Sequence, residues 1–163
     1  MTDGSPNQQR GLRSALALAG WLCLCFLAAA VGGFFLPGEW YAGLHKPAWN
    51  PPNWIFGPVW TLLYIMMAGA AWLVWRRGGF TAQRQALSLF LAQLLLNALW
   101  SPLFFGLHHP GLAFVDLLLL WLALAATIRA FWKARPSAGL LLWPYLAWIT
   151  FAGALNLAIL RLN

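Results

Sequence analysis

Five long apolar stretches separated by short polar connectors dominate the pattern of residues along this chain. The stretches 14–36, 53–75, 85–106 and 138–160 contain no charged residue, and 111–128 contains one, Asp116. A helix needs about 20 predominantly apolar residues to cross the hydrocarbon core of a bilayer. The pattern therefore predicts an all-α integral membrane protein, a bundle of five transmembrane helices in a single domain over residues 1–163.

The composition excludes the other broad classes of protein. Hydrophobic residues make up 62% of the chain and charged residues only 8%, whereas about 25% of a soluble domain is charged. So apolar a chain is neither a soluble globule nor intrinsically disordered. The net charge of +7 does not predict nucleic-acid binding, because the cations lie in short clusters between the apolar stretches.

The distribution of cations predicts the orientation in the membrane. With five spans, one side carries eight of the ten Lys and Arg residues and the other side carries only Lys46 and Arg161. Cytoplasmic connectors are enriched in Lys and Arg, so in a bacterial membrane we expect this multi-pass protein to have a cytoplasmic N-terminus. The polar residues 1–9 are expected to lie outside regular structure.

The connector 37–52 reads PGEWYAGLHKPAWNPP, and its prolines, including Pro47 and Pro51, forbid a continuous helix. Trp40, Tyr41 and Trp49 give it two interpretations. Such amphipathic aromatics form belts at membrane interfaces, but they also suit a lid that folds over the mouth of the bundle. The composition alone does not choose between the belt and the lid.

Three of the predicted helices carry aromatic and polar residues along one face. At helical spacing, these stripes are Phe56, Trp60 and Tyr64; Gln93, Asn97 and Trp100; and Tyr145, Trp148, Ala152 and Asn156. Facing inward, they would line an apolar pocket with a few hydrogen-bonding groups. The alternative is that they only pack and bond between helices. Pro58, Pro102 and Pro144 lie in the same spans and are expected to kink them.

Other reactive residues form no recognisable catalytic or metal site. Cys23 and Cys25 point to opposite sides of a helix and read as small apolar residues. The adjacent His108 and His109 have no Cys, Asp or Glu at ligand spacing, so no metal is predicted. Asp116 would suit a proton relay, but without a second acid in any span we favour a carboxylate bonded to backbone or a neighbouring loop.

Three ordered motifs resemble the translocator protein family, also called TspO/MBR or the peripheral benzodiazepine receptor family. They are WYAGLHKPAWNPPNWIFGPVWTLLY over 40–64, QLLLNALWSPLFFG over 93–106, and PYLAWITFAGALN over 144–156. The resemblance extends from about residue 39 to the end and is weakest in the first span. It implies a five-helix bundle, often a homodimer, with a pocket beneath the first loop.

The resemblance also implies what the pocket binds. In the family it takes tetrapyrroles, namely haem and protoporphyrin IX, together with sterols in animals and synthetic hydrophobic ligands; no cofactor is required. By motif position the family's ligand-contacting residues fall on Tyr41, Trp60, Asn97, Trp148 and Ala152. The helical stripes add Tyr64 and Trp100 to this expected ligand-binding set. Lys46 is the one cation of the loop that would meet a propionate.

The resemblance leaves more than one function open. A receptor or translocator for tetrapyrrole sensing, transport or regulation is the leading interpretation. A light-dependent porphyrin-degrading enzyme would use Trp60 and Trp148 as catalytic residues, and a proton-coupled small-solute transporter would use Asp116. The animal sterol-contact pattern, which requires a tyrosine before a basic residue, is replaced here by LNLAILR (155–161). This departure favours a tetrapyrrole over a sterol and a bacterial member of the family.

Overall fold

The computed structural model describes residues 6–163, which form eight α-helices, one 3-10 turn and one π-helical segment. The helices are α1 (Pro6–Gly33), α2 (Glu39–Gly43), α3 (Phe56–Trp75), α4 (Gly79–Ala82), α5 (Arg84–Ser101), α6 (Pro110–Ala134), α7 (Pro136–Leu141) and α8 (Trp143–Leu162). The 3-10 turn (Asn53–Ile55) leads into α3, and the π-helical segment (Pro102–Gly106) continues α5.

Five helical stretches among these residues are long and apolar enough to cross a membrane. They are Asn7–Gly33, Asn53–Trp75, Arg84–Gly106, Pro110–Ala134 and Pro136–Leu162. The predicted bundle of five transmembrane helices is therefore confirmed. The second and third spans agree with the predicted bounds to within one residue, because a continuous run without charge can leave the bilayer core only where polar residues begin. The fourth span continues past its predicted end at 128 to Ala134, through Arg129 and Lys133.

The first span differs most from its predicted bounds. The helix α1 begins at Pro6 and ends at Gly33, so the apolar residues 34–36 lie in the connector instead of the helix. The expectation that residues 1–9 lie outside regular structure is wrong for 6–9, and its remaining part, 1–5, lies outside the described residues. Helix propensity in the polar turn before Arg10 outweighs its lack of apolar periodicity.

The five spans pack as a closed ring. Helix α1 contacts α3 and α5, α5 contacts α6, and α6 contacts α7 and α8, while α3 closes the ring by packing on α7. The main apolar core lies among α3, α5, α6 and α7, where the small residues Ala68, Ala70 and Ala71 of α3 allow close helix approach. Cys25 is buried in this core and Cys23 is exposed, as their spacing predicted.

The three prolines act differently from the uniform kinks that the sequence suggested. Pro58 and Pro144 lie in the first turns of α3 and α8, where a missing backbone N–H costs little. Pro102 alone alters a helix interior: it starts the π-helical segment, and the Leu107 N–H bonds to the Pro102 carbonyl at 2.8 Å. Such π-bulges redirect the side chains that follow.

Candidate functional site

A cavity of about 810 Å³ lies inside the ring, on the side of the connector 37–52. Residues from α1, α3, α5, the π-helical segment, α6 and α8 line it. All seven predicted ligand-binding residues line it: Tyr41, Trp60, Tyr64, Asn97, Trp100, Trp148 and Ala152.

Polar residues join three helices at the floor of the cavity. The Tyr64 hydroxyl of α3 donates to the Asn97 side-chain oxygen of α5 at 2.5 Å. The Asn97 side-chain nitrogen then donates to the Tyr145 hydroxyl of α8 at 2.8 Å. These contacts satisfy groups whose burial without partners is costly. Asn97 therefore serves as interhelical contact and cavity wall at once, so the two interpretations of the stripes both hold for it.

Gln93 departs from the prediction for its stripe. It lies one turn before Asn97 on α5 and is fully buried, but it does not line the cavity. Its amide nitrogen and oxygen have no hydrogen-bond partner among the described residues. The stripe assigned Gln93 and Asn97 to one face, and the structure places Gln93 below the cavity floor because the cavity ends at the level of Asn97.

Aromatic rings form the walls. The Trp60 ring lies 5.5 Å from Tyr64, 6.1 Å from Tyr145 and 6.5 Å from Trp148, measured between centroids. Trp148 also packs edge-on against Phe56 at 5.8 Å. Tilted and edge-to-face contacts of this kind are favoured by the aromatic quadrupole. Ala152, one turn after Trp148, keeps the wall open where a larger residue would fill it.

Trp100 is held in place by Asn156, a cavity-lining residue outside the predicted ligand-binding set. The Trp100 indole N–H donates to the Asn156 side-chain oxygen at 3.2 Å, and the Asn156 side-chain nitrogen donates to the Pro110 carbonyl at 2.9 Å. The Trp100 ring stacks on Phe104 at 5.0 Å. Asn156 was already part of the predicted α8 stripe, which was the available indication of its role.

The connector 37–52 folds over the mouth of the cavity and is called the lid below. Its buried Tyr41 packs against Phe104 at 6.2 Å and Phe105 at 5.4 Å. The π-helical backbone after Pro102 lets these two consecutive rings meet the same partner. Tyr41 also donates to the Asn50 side-chain oxygen at 3.3 Å, and burial raises the pKa of its phenol. Of the two interpretations of this loop, the structure favours the lid.

Contacts with other elements fasten the lid at three further points. Trp40 stacks on His108 with centroids 4.4 Å apart, and Trp49 packs on Phe151 at 5.8 Å. The His45 backbone N–H donates to the Asn163 side-chain oxygen at 2.9 Å, and the Asn163 side-chain nitrogen returns a 3.0 Å bond to the His45 carbonyl. Nothing in the local sequence of 37–52 predicts these partners.

Comparison with known proteins agrees with this architecture. Residues 21–162 match the TspO/MBR family. The chain belongs to this family. It is 48% identical over 142 residues to the translocator protein of Homo sapiens, with 84% of each chain covered. It is 42% identical over 154 residues to protein CrtK of Rhodobacter capsulatus, with 92% of this chain and 94% of that protein covered.

A third relative is the tryptophan-rich sensory protein of Cereibacter sphaeroides, 43% identical over 143 residues, with 88% of this chain and 89% of that protein covered. The predicted family resemblance is confirmed. With five apolar spans, the chain is a multi-pass integral membrane protein of the TspO/MBR family.

Lys46 has partners within the lid itself. Its ammonium group donates to the Ala42 and Leu44 carbonyls at 3.2 and 3.3 Å. It also lies 4.5 Å from the centre of the Tyr41 ring, in cation–π geometry. Lys46 does not line the cavity, so a contact with a propionate requires the ligand to project beyond the lid. That contact stays a prediction.

Asp116 is buried on α6 beside cavity-lining Leu117 but does not itself line the cavity. Its Oδ2 atom has no hydrogen-bond partner among the described residues. The expected bond to backbone or a neighbouring loop is therefore absent at this atom. A proton relay through Asp116 stays a hypothesis from the sequence.

Proposed function

We propose that this protein binds a tetrapyrrole, protoporphyrin IX or haem, inside the bundle and acts as a receptor or translocator in tetrapyrrole sensing, transport or regulation. One observation carries the proposal: a cavity of about 810 Å³ walled by Trp60, Trp100 and Trp148. Its volume is within the range of about 300–1,000 Å³ that is typical of small-molecule sites. The tetrapyrrole would be a ligand, and no cofactor is required.

The chemistry of the lining suits a flat, apolar ring system. Indole and phenol rings offer faces on which a macrocycle can stack. The hydrogen-bonding groups of Asn97, Tyr64 and Tyr41 supply a few polar contacts at the floor and at the lid. No charged side chain of the described residues lines the cavity, so the macrocycle core, not a charged group, is the part expected inside.

Fluorescence quenching tests this proposal. We expect protoporphyrin IX to quench the tryptophan fluorescence of the purified protein saturably at micromolar concentration. Trp60→Phe and Trp148→Phe should each weaken binding about tenfold, corresponding to about 1.4 kcal/mol. The matched control is Trp143→Phe, which removes an indole from an exposed position on α8 outside the cavity.

The Trp143→Phe control distinguishes binding in the cavity from nonspecific partition of the porphyrin into detergent. If wild type, both cavity variants and Trp143→Phe give the same quenching curve, the porphyrin is partitioning into detergent and the binding proposal fails. Saturation at one ligand per chain with unchanged affinity in Trp143→Phe is the supporting result.

A second candidate function, light-dependent porphyrin degradation, is favoured by the aromatic cluster around Trp60. Three oxidisable rings, those of Tyr64, Tyr145 and Trp148, have centroids within 6.5 Å of the Trp60 ring. An excited porphyrin in the cavity would be next to them. Loss of porphyrin absorbance under light that requires both Trp60 and Trp148 would support the enzyme, whereas stable absorbance in saturated protein would leave binding alone.

Two further properties belong to the proposal. We expect the N-terminus on the cytoplasmic side, because eight of the ten Lys and Arg residues lie on that side of the five spans. We also expect a homodimer, as in the family. To test the orientation, single cysteines are introduced in the 76–84 connector or in the lid and are labelled in intact cells. Measurement of the mass of the protein in detergent tests the dimer.

A further inference from the structure

The exposed part of the cavity wall lies on one side of the bundle. Exposed lining residues belong to α1, to the connector after it, to the 3-10 turn before α3 or to the start of α3, and they include Ala30, Gly33, Gly57 and Thr61. By contrast, the lining residues of α5, α6 and α8 are buried or only partly exposed. The wall is therefore incomplete between α1 and α3, and we call this gap the lateral opening.

The backbone around the lateral opening is unobstructed. A Cβ atom added to Gly33 or to Gly57 would meet no atom within 4 Å. The same two helices are joined toward their other ends, where the Trp72 indole N–H donates to the Ser14 carbonyl at 2.9 Å. Helices α1 and α3 thus pack together from that end as far as the Phe26–Tyr64 ring contact at 6.3 Å, and the gap lies beyond it, beside Ala30, Gly33 and Gly57.

The surface beside the lateral opening is apolar. Leu27 of α1 is 59% exposed, and Leu62 and Ile65 of α3 are 58% and 48% exposed. In a membrane protein, such side chains face lipid tails. The gap therefore lies in the part of the surface that contacts the bilayer core instead of water.

The water-facing side of the cavity is covered by the lid. The lid is fastened by the Trp40–His108 stack, by the Trp49–Phe151 contact and by paired hydrogen bonds between His45 and Asn163. Entry from water would break several of these contacts together. Entry from the bilayer between α1 and α3 breaks none of them.

We propose that the cavity exchanges its ligand directly with the lipid bilayer through the lateral opening between α1 and α3. This inference rests on the proposed function, namely that the cavity binds a hydrophobic ligand. The ligand class is one that dissolves in the bilayer and enters with its uncharged part first. Because no lining side chain of the described residues is charged, carboxylates stay at the membrane interface, where water solvates them.

Blocking the opening tests the route. In Gly57→Trp a bulky ring is added to an exposed position on the α3 side, and Ala30→Phe narrows the gap from the α1 side. The matched control is Leu122→Trp, which adds the same indole to an exposed position on α6, outside the cavity lining and away from the lateral opening. Protein in lipid vesicles is mixed with vesicles that carry protoporphyrin IX, and stopped-flow quenching gives the association and dissociation rates.

We expect both blocking variants to slow association and dissociation together by about tenfold, while the equilibrium affinity changes by less than about threefold. Leu122→Trp should keep wild-type rates. Wild-type rates in either blocking variant overturn the lateral route. Faster dissociation with weakened affinity also overturns it, since that pattern reports damage to the site instead of an obstructed path.

A lid variant separates the two possible entrances. Asn163→Ala removes both hydrogen bonds to His45 and leaves the lateral opening unchanged, so the exchange rates should stay as in wild type. Acceleration by Asn163→Ala would mean that the lid is the entrance. If the wild type shows no saturable binding at all, the proposed function has failed, whereas saturable binding with unaltered rates in the blocking variants refutes the lateral route alone.

Discussion

The Tyr64 hydroxyl of α3 and the Asn97 side-chain oxygen of α5 are joined by a 2.5 Å hydrogen bond at the cavity floor. Interhelical hydrogen bonds in membrane proteins contribute about 1 kcal/mol or less. Tyr64→Phe leaves the Asn97 oxygen buried without this donor, so we expect a loss of about 1 kcal/mol in the free energy of unfolding. Reversible denaturation in mixed detergent measures it.

The pairing itself is tested by a double-mutant cycle. If Tyr64 and Asn97 stabilise each other, the cost of Tyr64→Phe should be smaller in an Asn97→Leu background, with a coupling of about 0.5–1.5 kcal/mol. If the losses in the free energy of unfolding caused by the two substitutions are strictly additive, the stabilising contact between Tyr64 and Asn97 is contradicted. Thr150→Ala is the control, because the hydrogen bond that Thr150 accepts from Trp121 is exposed.

Asn156 is expected to affect ligand binding through Trp100. Asn156→Leu removes the acceptor of the Trp100 indole and the donor to the Pro110 carbonyl, so the Trp100 ring loses its fixed orientation against Phe104. We expect porphyrin affinity to fall about threefold to tenfold, with about 1–3 kcal/mol lost in stability. Asn156→Gln cannot place both groups at the same distances and should behave similarly.

Trp100→Phe distinguishes positioning from general destabilisation. If Asn156 acts on the ligand by orienting Trp100, then Asn156→Leu should have little additional effect on affinity in a Trp100→Phe background. An undiminished loss of affinity in that background would show that Asn156 acts on the ligand by another route.

Two glycines of the fifth span should respond oppositely to alanine. A Cβ at Gly139 would lie 2.9 Å from Trp132 Cε3 and 3.2 Å from its Cα, so Gly139→Ala overpacks the α6–α7 contact and should cost about 1–3 kcal/mol. A Cβ at Gly153 meets nothing within 4 Å. Gly153→Ala should be neutral or gain up to about 1 kcal/mol from helix propensity. Thermal midpoints in detergent that rank these variants in reverse order would contradict the packing at α7.

Lid docking should weaken at alkaline pH because of Tyr41. Burial raises the pKa of its phenol above the ordinary value of 10.0, so the unfolded or undocked form loses its proton first. The contribution of Tyr41 is complete below about pH 10 and decreases as pH rises through 10 toward the higher pKa of the folded form. The stability difference between wild type and Tyr41→Phe, followed from pH 8 to 11, should shrink only at the alkaline end. A difference that stays constant over this range would contradict the prediction.

Much of the fold follows from the sequence because a bilayer imposes simple rules. A run of about 20 residues without charge must cross the membrane as a helix, which explains the agreement for the span ending at Trp75. The rules are weaker where the chain leaves the bilayer. Phe34 is apolar but lies outside α1, and Pro144, read as a kink, falls harmlessly in the first turn of α8.

The sequence predicted which residues line the cavity but not how they are arranged around it. Helical periodicity aligned Trp60 with Tyr64 and Trp148 with Ala152, because residues three or four apart share a face. Periodicity cannot say how deep the cavity reaches, so it grouped Gln93 with Asn97, and only Asn97 lines the wall. Nor could it show that Asn97 is already bonded to two tyrosines.

The sequence by itself determined the membrane-spanning class, the number of membrane spans, the family and the set of aromatic residues at the site. These depend on local hydrophobicity and on order along the chain. The tertiary structure decided which pairs of residues distant in sequence meet. His45 with Asn163 and Trp100 with Asn156 are contacts between separate elements, and so is the gap between α1 and α3. Such contacts depend on how the five helices tilt and pack together, which no local pattern encodes.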